Sequence, residues 1–177
     1  MRYRLLLIAA LAVGAGWATL PVPASAQSAA AGAAAATDSS LPGPGGWTLY
    51  VNSRFGTRVT IPTEVFAPQA ASADGDGRRF LASDAELEVF GWQREGNETP
   101  VTLQKRLLGM KGYDRVTYTR TGGRWLVLSG FREGKIFYEK YFLRPTTIQA
   151  FGVEFPPARK PVYAPLIERM ENSFRAG

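Results

Sequence analysis

Between residues 113 and 155 four strand-length stretches follow one another, 113–120, 124–131, 135–144 and 146–155. Each is rich in β-branched and aromatic residues and is parted from the next only by a Gly- or Pro-bearing break. A parallel arrangement needs a crossover of a dozen or more residues, and none is available here, so the segment folds as a four-strand antiparallel meander. In the second stretch Trp125, Val127 and Phe131 point one way while Leu126 and Leu128 point the other. Apolar residues on both faces predict a central strand covered on both sides.

The rest of the folded chain reads around that meander. Trp47–Val51 and residues 57–61 are two short strands about a turn at 52–56, the second closed by Pro62. Residues 67–77 are a polar loop ending in Asp74-Gly75-Asp76-Gly77, and 78–82 with 85–92 make a hairpin. Thr99 caps a helix with Pro100 in its first position, where a missing N–H costs nothing, and with Val101, Leu103, Leu107 and Leu108 as its apolar stripe. A second helix within 157–174 presents Leu166, Ile167, Met170 and Phe174, with Pro165 near its start and Pro161 limiting it backwards. Together these predict a single α+β domain over residues 47–177, an antiparallel sheet of about six to eight strands with helices packed on its faces.

The N-terminus reads as an export signal over residues 1–26. Arg2 and Arg4 give a positive start, Leu5 to Leu20 an apolar stretch, and Ala24-Ser25-Ala26 an A-x-A cleavage site, so the mature chain begins at Gln27. Residues 27–46 are Ala-, Ser-, Gly- and Pro-rich, too poor in apolar bulk to offset the entropy of ordering, and read as a flexible linker. No later apolar run is long enough to span a bilayer, which leaves an exported protein, in the periplasm first and the extracellular space second.

Composition excludes much chemistry. The chain has no Cys and no His, which removes disulfides, thiolate nucleophiles, Ser-His pairs and nearly every imidazole- or thiolate-based metal site. No cofactor is expected. With Arg2 and Arg4 set aside, 19 basic residues face 15 acidic ones, and the basic residues are scattered rather than gathered into a run, against a nucleic-acid partner.

Three arrangements deserve weighing. Asp74 and Asp76, interleaved with glycines, suggest a calcium loop, but Arg78 and Ala85 stand where the further ligands of such a loop belong, and a glycine-rich turn explains them as well. Glu86 and Glu88 share a strand face at roughly 6.6 Å, a separation paired-carboxylate hydrolysis uses, yet the same alternation marks any half-exposed strand. Ser129 near Lys135 or Lys140 lacks a nucleophile elbow. The candidate binding surface is instead aromatic and basic: Trp125 and Phe131 share one strand face, Tyr138 and Lys140 another, with Asp74 and Asp76 in the preceding loop.

Several local words are similar to a family of uncharacterised exported bacterial domains: Asp76-Gly77-Arg78-Arg79-Phe80, Val89-Phe90-Gly91, Trp125-Leu126-Val127-Leu128-Ser129-Gly130, Ile136-Phe137-Tyr138-Glu139-Lys140, Phe155-Pro156 and Ser173-Phe174. Through that family the chain resembles the PsbP/Mog1-like α/β sandwich. The resemblance spans residues 47–175, implies a non-catalytic accessory or binding role, and carries over no site residue. The reading is therefore an exported binding or accessory domain for an unknown protein or cell-envelope component. A small hydrolase using Glu86, Glu88, Asp76 and Asp84, or a purely structural envelope protein, are its rivals.

Overall fold

The computed structural model describes residues 38–110 and 112–175. The signal peptide expected over 1–26 and the greater part of the 27–46 linker lie outside them. Within them the order is β1 (Ser39–Pro42), β2 (Trp47–Val51), β3 (Arg58–Pro62), β4 (Ala67–Ala71), β5 (Gly77–Leu81), β6 (Glu86–Gln93), α1 (Pro100–Met110), β7 (Arg115–Thr121), β8 (Trp125–Arg132), β9 (Lys135–Leu143), β10 (Thr147–Phe155) and α2 (Lys160–Ser173). The first three strands form a small antiparallel sheet, β1-β2-β3. The other seven form a large one in the order β4-β5-β6-β10-β9-β8-β7, so the fold is α+β and the expected meander β7-β8-β9-β10 is present.

The alternation of each strand feeds two cores, one on each face of the large sheet. On one face Leu103 and Leu107 of α1 pack on Leu126, Leu128, Phe137, Tyr141, Ile148 and Ala150. On the other, α2 and the small sheet bury Tyr50, Ile61, Phe66, Leu87, Val89, Phe151, Val153 and Phe174. Leu103 is fully buried, and cutting it to Ala is expected to cost about 2–5 kcal/mol. Thr99 caps α1 as predicted: its hydroxyl accepts from Thr102 N at 3.2 Å, and its own N–H donates to the Thr102 hydroxyl at 2.8 Å. Asn52 holds the β2–β3 turn, its side-chain oxygen accepting from Phe55 N at 2.9 Å. Phe55 then packs on Gly91 so closely that a Cβ there would lie 2.8 Å from the ring, which is why β6 carries a glycine opposite that turn.

Four expectations are corrected. The central strand is β10, not β8, which is next to the edge; both are apolar on two faces, but the second face of β8 is covered by long cationic side chains rather than by a helix. Part of the 67–77 loop is a strand, β4, exposed along its whole length. As an edge strand it needs no apolar side and tolerates Pro68. The end of the 27–46 linker is structured too: Ser39–Pro42 pairs with β2, and the buried Asp38 carboxylate accepts from Tyr50 Oη at 2.5 Å, Asn52 Nδ2 at 3.1 Å and Ser53 N at 3.1 Å. Finally, Pro161 does not limit α2 but sits in its first turn, where it forgoes no bond, and Pro165 lies inside the helix.

Candidate functional site

The two faces of the large sheet each leave a part uncovered. On its own face α2 packs chiefly against β3 and β10 and reaches β9 through Glu171 and Phe174. Beyond it β8 and β7 continue the same face as an open strip. Trp125 and Phe131 of β8, Tyr138 and Lys140 of β9, and Arg115, Tyr118 and Arg120 of β7 all belong to it, as the register Arg115↔Phe131↔Ile136, Tyr118↔Ser129↔Tyr138 and Arg120↔Val127↔Lys140 requires. The two pairs expected on separate strand faces, Trp125 with Phe131 and Tyr138 with Lys140, thus share one surface.

Cations lie on the rings of this strip. Arg115 sits 5.1 Å from the Phe131 ring centre, Arg120 5.7 Å from that of Trp125, and Lys140 5.6 Å from Trp125 on its other side. Trp125 and Phe131 are in consequence half-buried, while Tyr118 is 50% exposed. Lys140 also donates to Glu171 at 2.7 Å. Partial burial works against ionisation of Glu171, but the bond from Lys140, with the Tyr138 hydroxyl and the Arg120 guanidinium nearby, prevails and holds its carboxyl below the usual range. Burial, and then the Glu171 charge, pushes the Tyr138 phenol up. Ser129 donates to the Phe137 carbonyl at 2.7 Å and faces Tyr138 in register, so it is tied to the backbone rather than poised as a nucleophile.

The α1 face is different. The helix covers β8, β9 and part of β10, and beside it opens a groove of about 310 Å³ lined by Arg79, Glu86, Glu88, Arg132, Glu139 and Glu154, with Gly152 in its floor. Here every arginine is matched by acids. Arg79 pairs with Glu86 and, at 3.2 Å, with Glu88. Arg132 pairs with Glu154 and, at 2.9 Å, with Glu139. Glu139 is 3% exposed and also accepts from the hydroxyls of Tyr113 and Tyr141, each at 2.5 Å. Burial first, and then the Glu139 charge, raises both phenols well above their ordinary value. Burial disfavours the Arg132 charge, but the two carboxylates outweigh it and strengthen its hold on the proton.

The carboxylates proposed for hydrolysis do not converge. Glu86 and Glu88 line the groove. Asp76 borders an adjoining hollow. Asp84 is held by Tyr163 and by Arg159 at 2.8 Å, against α2. Nor do Asp74 and Asp76 join the aromatic strip, for they lie in the β4–β5 loop, and β5 and β8 are four places apart in the sheet order. In that loop the carbonyls of Asp74, Gly75 and Asp76 already accept from Arg54, Asn52 and Gly91 N respectively, a glycine turn fastened by its neighbours.

Sequence reasoning missed Arg115, Tyr118 and Arg120, which an unbroken alternation would have divided between faces. It also missed Glu139, although a lone carboxylate in the apolar series Phe137, Tyr141, Leu143 was a legible signal.

A three-stranded and a seven-stranded antiparallel sheet with two helices define a PsbP-like α+β fold. The chain is similar to the solution structure of cyanobacterial PsbP (CyanoP) from Synechocystis sp. PCC 6803, with a TM-score of 0.54 and 14% sequence identity over 78% of this chain and 98% of that one. No protein-family model and no curated protein matches the sequence. Identity at this level establishes the fold and transfers no functional residue. Among the described residues no helix is long and apolar enough to cross a membrane.

Proposed function

We propose that this chain is a non-catalytic binding or accessory domain, exported by the signal at residues 1–26 to the periplasm and engaging a protein or envelope component through the open strip of β7, β8 and β9. One observation carries the reading: each of the groove's two arginines is tied to two carboxylates, whereas the strip gathers cations and aromatic rings on a surface that α2 does not cover. A paired-carboxylate hydrolase needs two acids free to divide the roles of base and proton donor, and here one arginine, Arg79, engages both Glu86 and Glu88.

Two measurements test it. N-terminal sequencing of the exported protein is expected to begin at Gln27, and a start at Met1 removes the export claim. Capture from envelope extracts is expected to yield a reproducible partner that is lost on substituting Trp125 and Lys140 together with Ala. Recovery of nothing, or of the same partner with the variant, contradicts the proposal. The groove's volume favours the hydrolase as a second reading; turnover of any substrate that disappears in Glu86→Gln/Glu88→Gln would establish it instead.

A further inference from the structure

The strip exists because of an irregularity in β7. Val116 lies opposite Gly130 and Tyr118 opposite Ser129, so β7 carries one residue more than β8 between these pairs. Residues five apart on a regular strand face opposite ways. With Thr117 as the extra residue, Arg115 and Arg120 share a face, with Tyr118 between them, as their seats over Phe131 and Trp125 require. A bulge that re-aims side chains in this way, on a strand whose outer edge has no partner strand among the described residues, is a built feature of the surface.

Arg79, Arg106, Arg132 and Arg159 each pair with a carboxylate, and Lys140 is taken by Glu171. Neither of the two arginines that the bulge brings together has a carboxylate at ion-pair distance. Among the described residues Arg54, Arg58, Arg94, Arg124, Arg144, Arg169 and Arg175 share that condition, and Arg120 lies within electrostatic reach of Glu171. Resting on the binding role given above, we infer that this bulge-built pair of guanidiniums docks an acidic segment of a partner protein, with carboxylates on one side of an extended chain. The rings beneath the guanidiniums, Phe131 and Trp125, are six residues apart on β8, so the two charges stand roughly 20 Å apart, the distance between residues i and i+6 of a strand, which lie on one face. Each guanidinium is held against a ring and keeps its N–H edge for a carboxylate.

The same geometry disfavours other occupants. Membrane docking uses aromatic side chains that protrude into the headgroup layer, but Trp125 and Phe131 lie half-buried under cations. Bases of a single strand need free ring faces on which to stack, and those of Trp125 and Phe131 are occupied, which leaves Tyr118 alone with an exposed ring on the strip. A second copy joined through β7 would gather four arginines on one seam without a carboxylate, since Arg115–Thr121 contains none.

The test is fluorescence anisotropy of a labelled synthetic peptide of alternating Glu and Thr, titrated with the exported full chain. A Lys and Thr peptide, phosphatidylglycerol vesicles and a single-stranded oligonucleotide are run in parallel. The Glu peptide is expected to bind in a salt-sensitive manner and the Lys peptide not at all. Arg115→Glu/Arg120→Glu should weaken binding by about tenfold or more, while Lys105→Glu/Lys160→Glu, which makes the same change in net charge elsewhere, should weaken it less than about threefold. Deleting Thr117 should weaken it as the double variant does. Equal loss in the two double variants, retention in Arg115→Glu/Arg120→Glu, stronger binding to vesicles or oligonucleotide, or concentration-dependent dimerisation through β7 would each overturn the inference. A chain that captures an envelope partner through Trp125 and Lys140 yet ignores the Glu peptide overturns the acidic ligand and leaves the binding role standing.

Discussion

The two uncovered parts of the large sheet treat charge in opposite ways. In the groove beside α1, Arg132 is 19% exposed and bonded to Glu139 and Glu154, and Glu139 in turn is closed off by two phenols. On the strip beyond α2, Arg115 and Arg120 are exposed and lie over rings with no carboxylate in ion-pair contact, Glu171 acting on Arg120 only at longer range. A charge that is buried must be matched, because its desolvation costs several kcal/mol, whereas an exposed one is solvated whether or not it has a partner. The difference separates charges that hold the fold from charges free to recognise something else.

The sharpest way to break that contrast is to strip Glu139 of its cation. Arg132→Leu takes away the cation beside a carboxylate in the sheet interior, and urea unfolding should show a loss of about 3–5 kcal/mol. A loss below about 1 kcal/mol would mean that water reaches Glu139 and that the groove is not the sealed network described. The phenols supply a second test. Their folded-state pKa values are raised above the roughly 10 of an unfolded tyrosine, so the stability they carry is intact below that pH and is lost as pH rises past it. Stability between pH 9 and pH 11 should therefore fall more steeply in the wild type than in Tyr113→Phe/Tyr141→Phe; parallel curves would remove Glu139 and its phenols as the coupled unit.

Smaller effects are expected on the strip. Trp125→Ala forfeits two cation–ring contacts on a half-buried side chain and should cost about 1–2 kcal/mol, with Arg120→Ala costing less than about 1 kcal/mol. Smallest of all is Arg79→Ala at the mouth of the groove. Its side chain is 60% exposed, and despite two carboxylate partners its removal should change stability by less than about 1 kcal/mol. A larger effect there would extend the structural network out to the groove's rim.

How much of this was legible follows the same division between patterned and unpatterned forces. Strands β7 to β10, the hairpin of β5 and β6, and both helices announce themselves through apolar periodicity, and Thr99-Pro100 marks the start of α1. Trp125, Phe131, Tyr138 and Lys140 could be placed on strand faces for the same reason. What periodicity cannot carry was missed. β1 and β4 have no buried side chain and are held by backbone bonding, with Asp38 as an anchor whose partners Tyr50, Asn52 and Ser53 follow more than ten residues later. The bulge at Thr117 depends on how β7 meets β8, and the sequence of β7 alone reads as a regular strand. The place of β8 was misjudged because its second face carries apolar residues too, with Trp125 and Phe131 under cationic side chains where a helix was expected. Asp74 and Asp76 were grouped with the aromatics by composition, and sheet order separates them.

The most direct test of this division is urea unfolding of Arg115→Glu/Arg120→Glu beside Arg132→Leu. The account predicts that the strip variant loses less than about 2 kcal/mol, the worth of its two cation–ring contacts, while the groove variant loses about 3 kcal/mol or more. Comparable losses in the two would contradict it, making the strip's arginines part of the scaffold rather than a surface kept open for a partner.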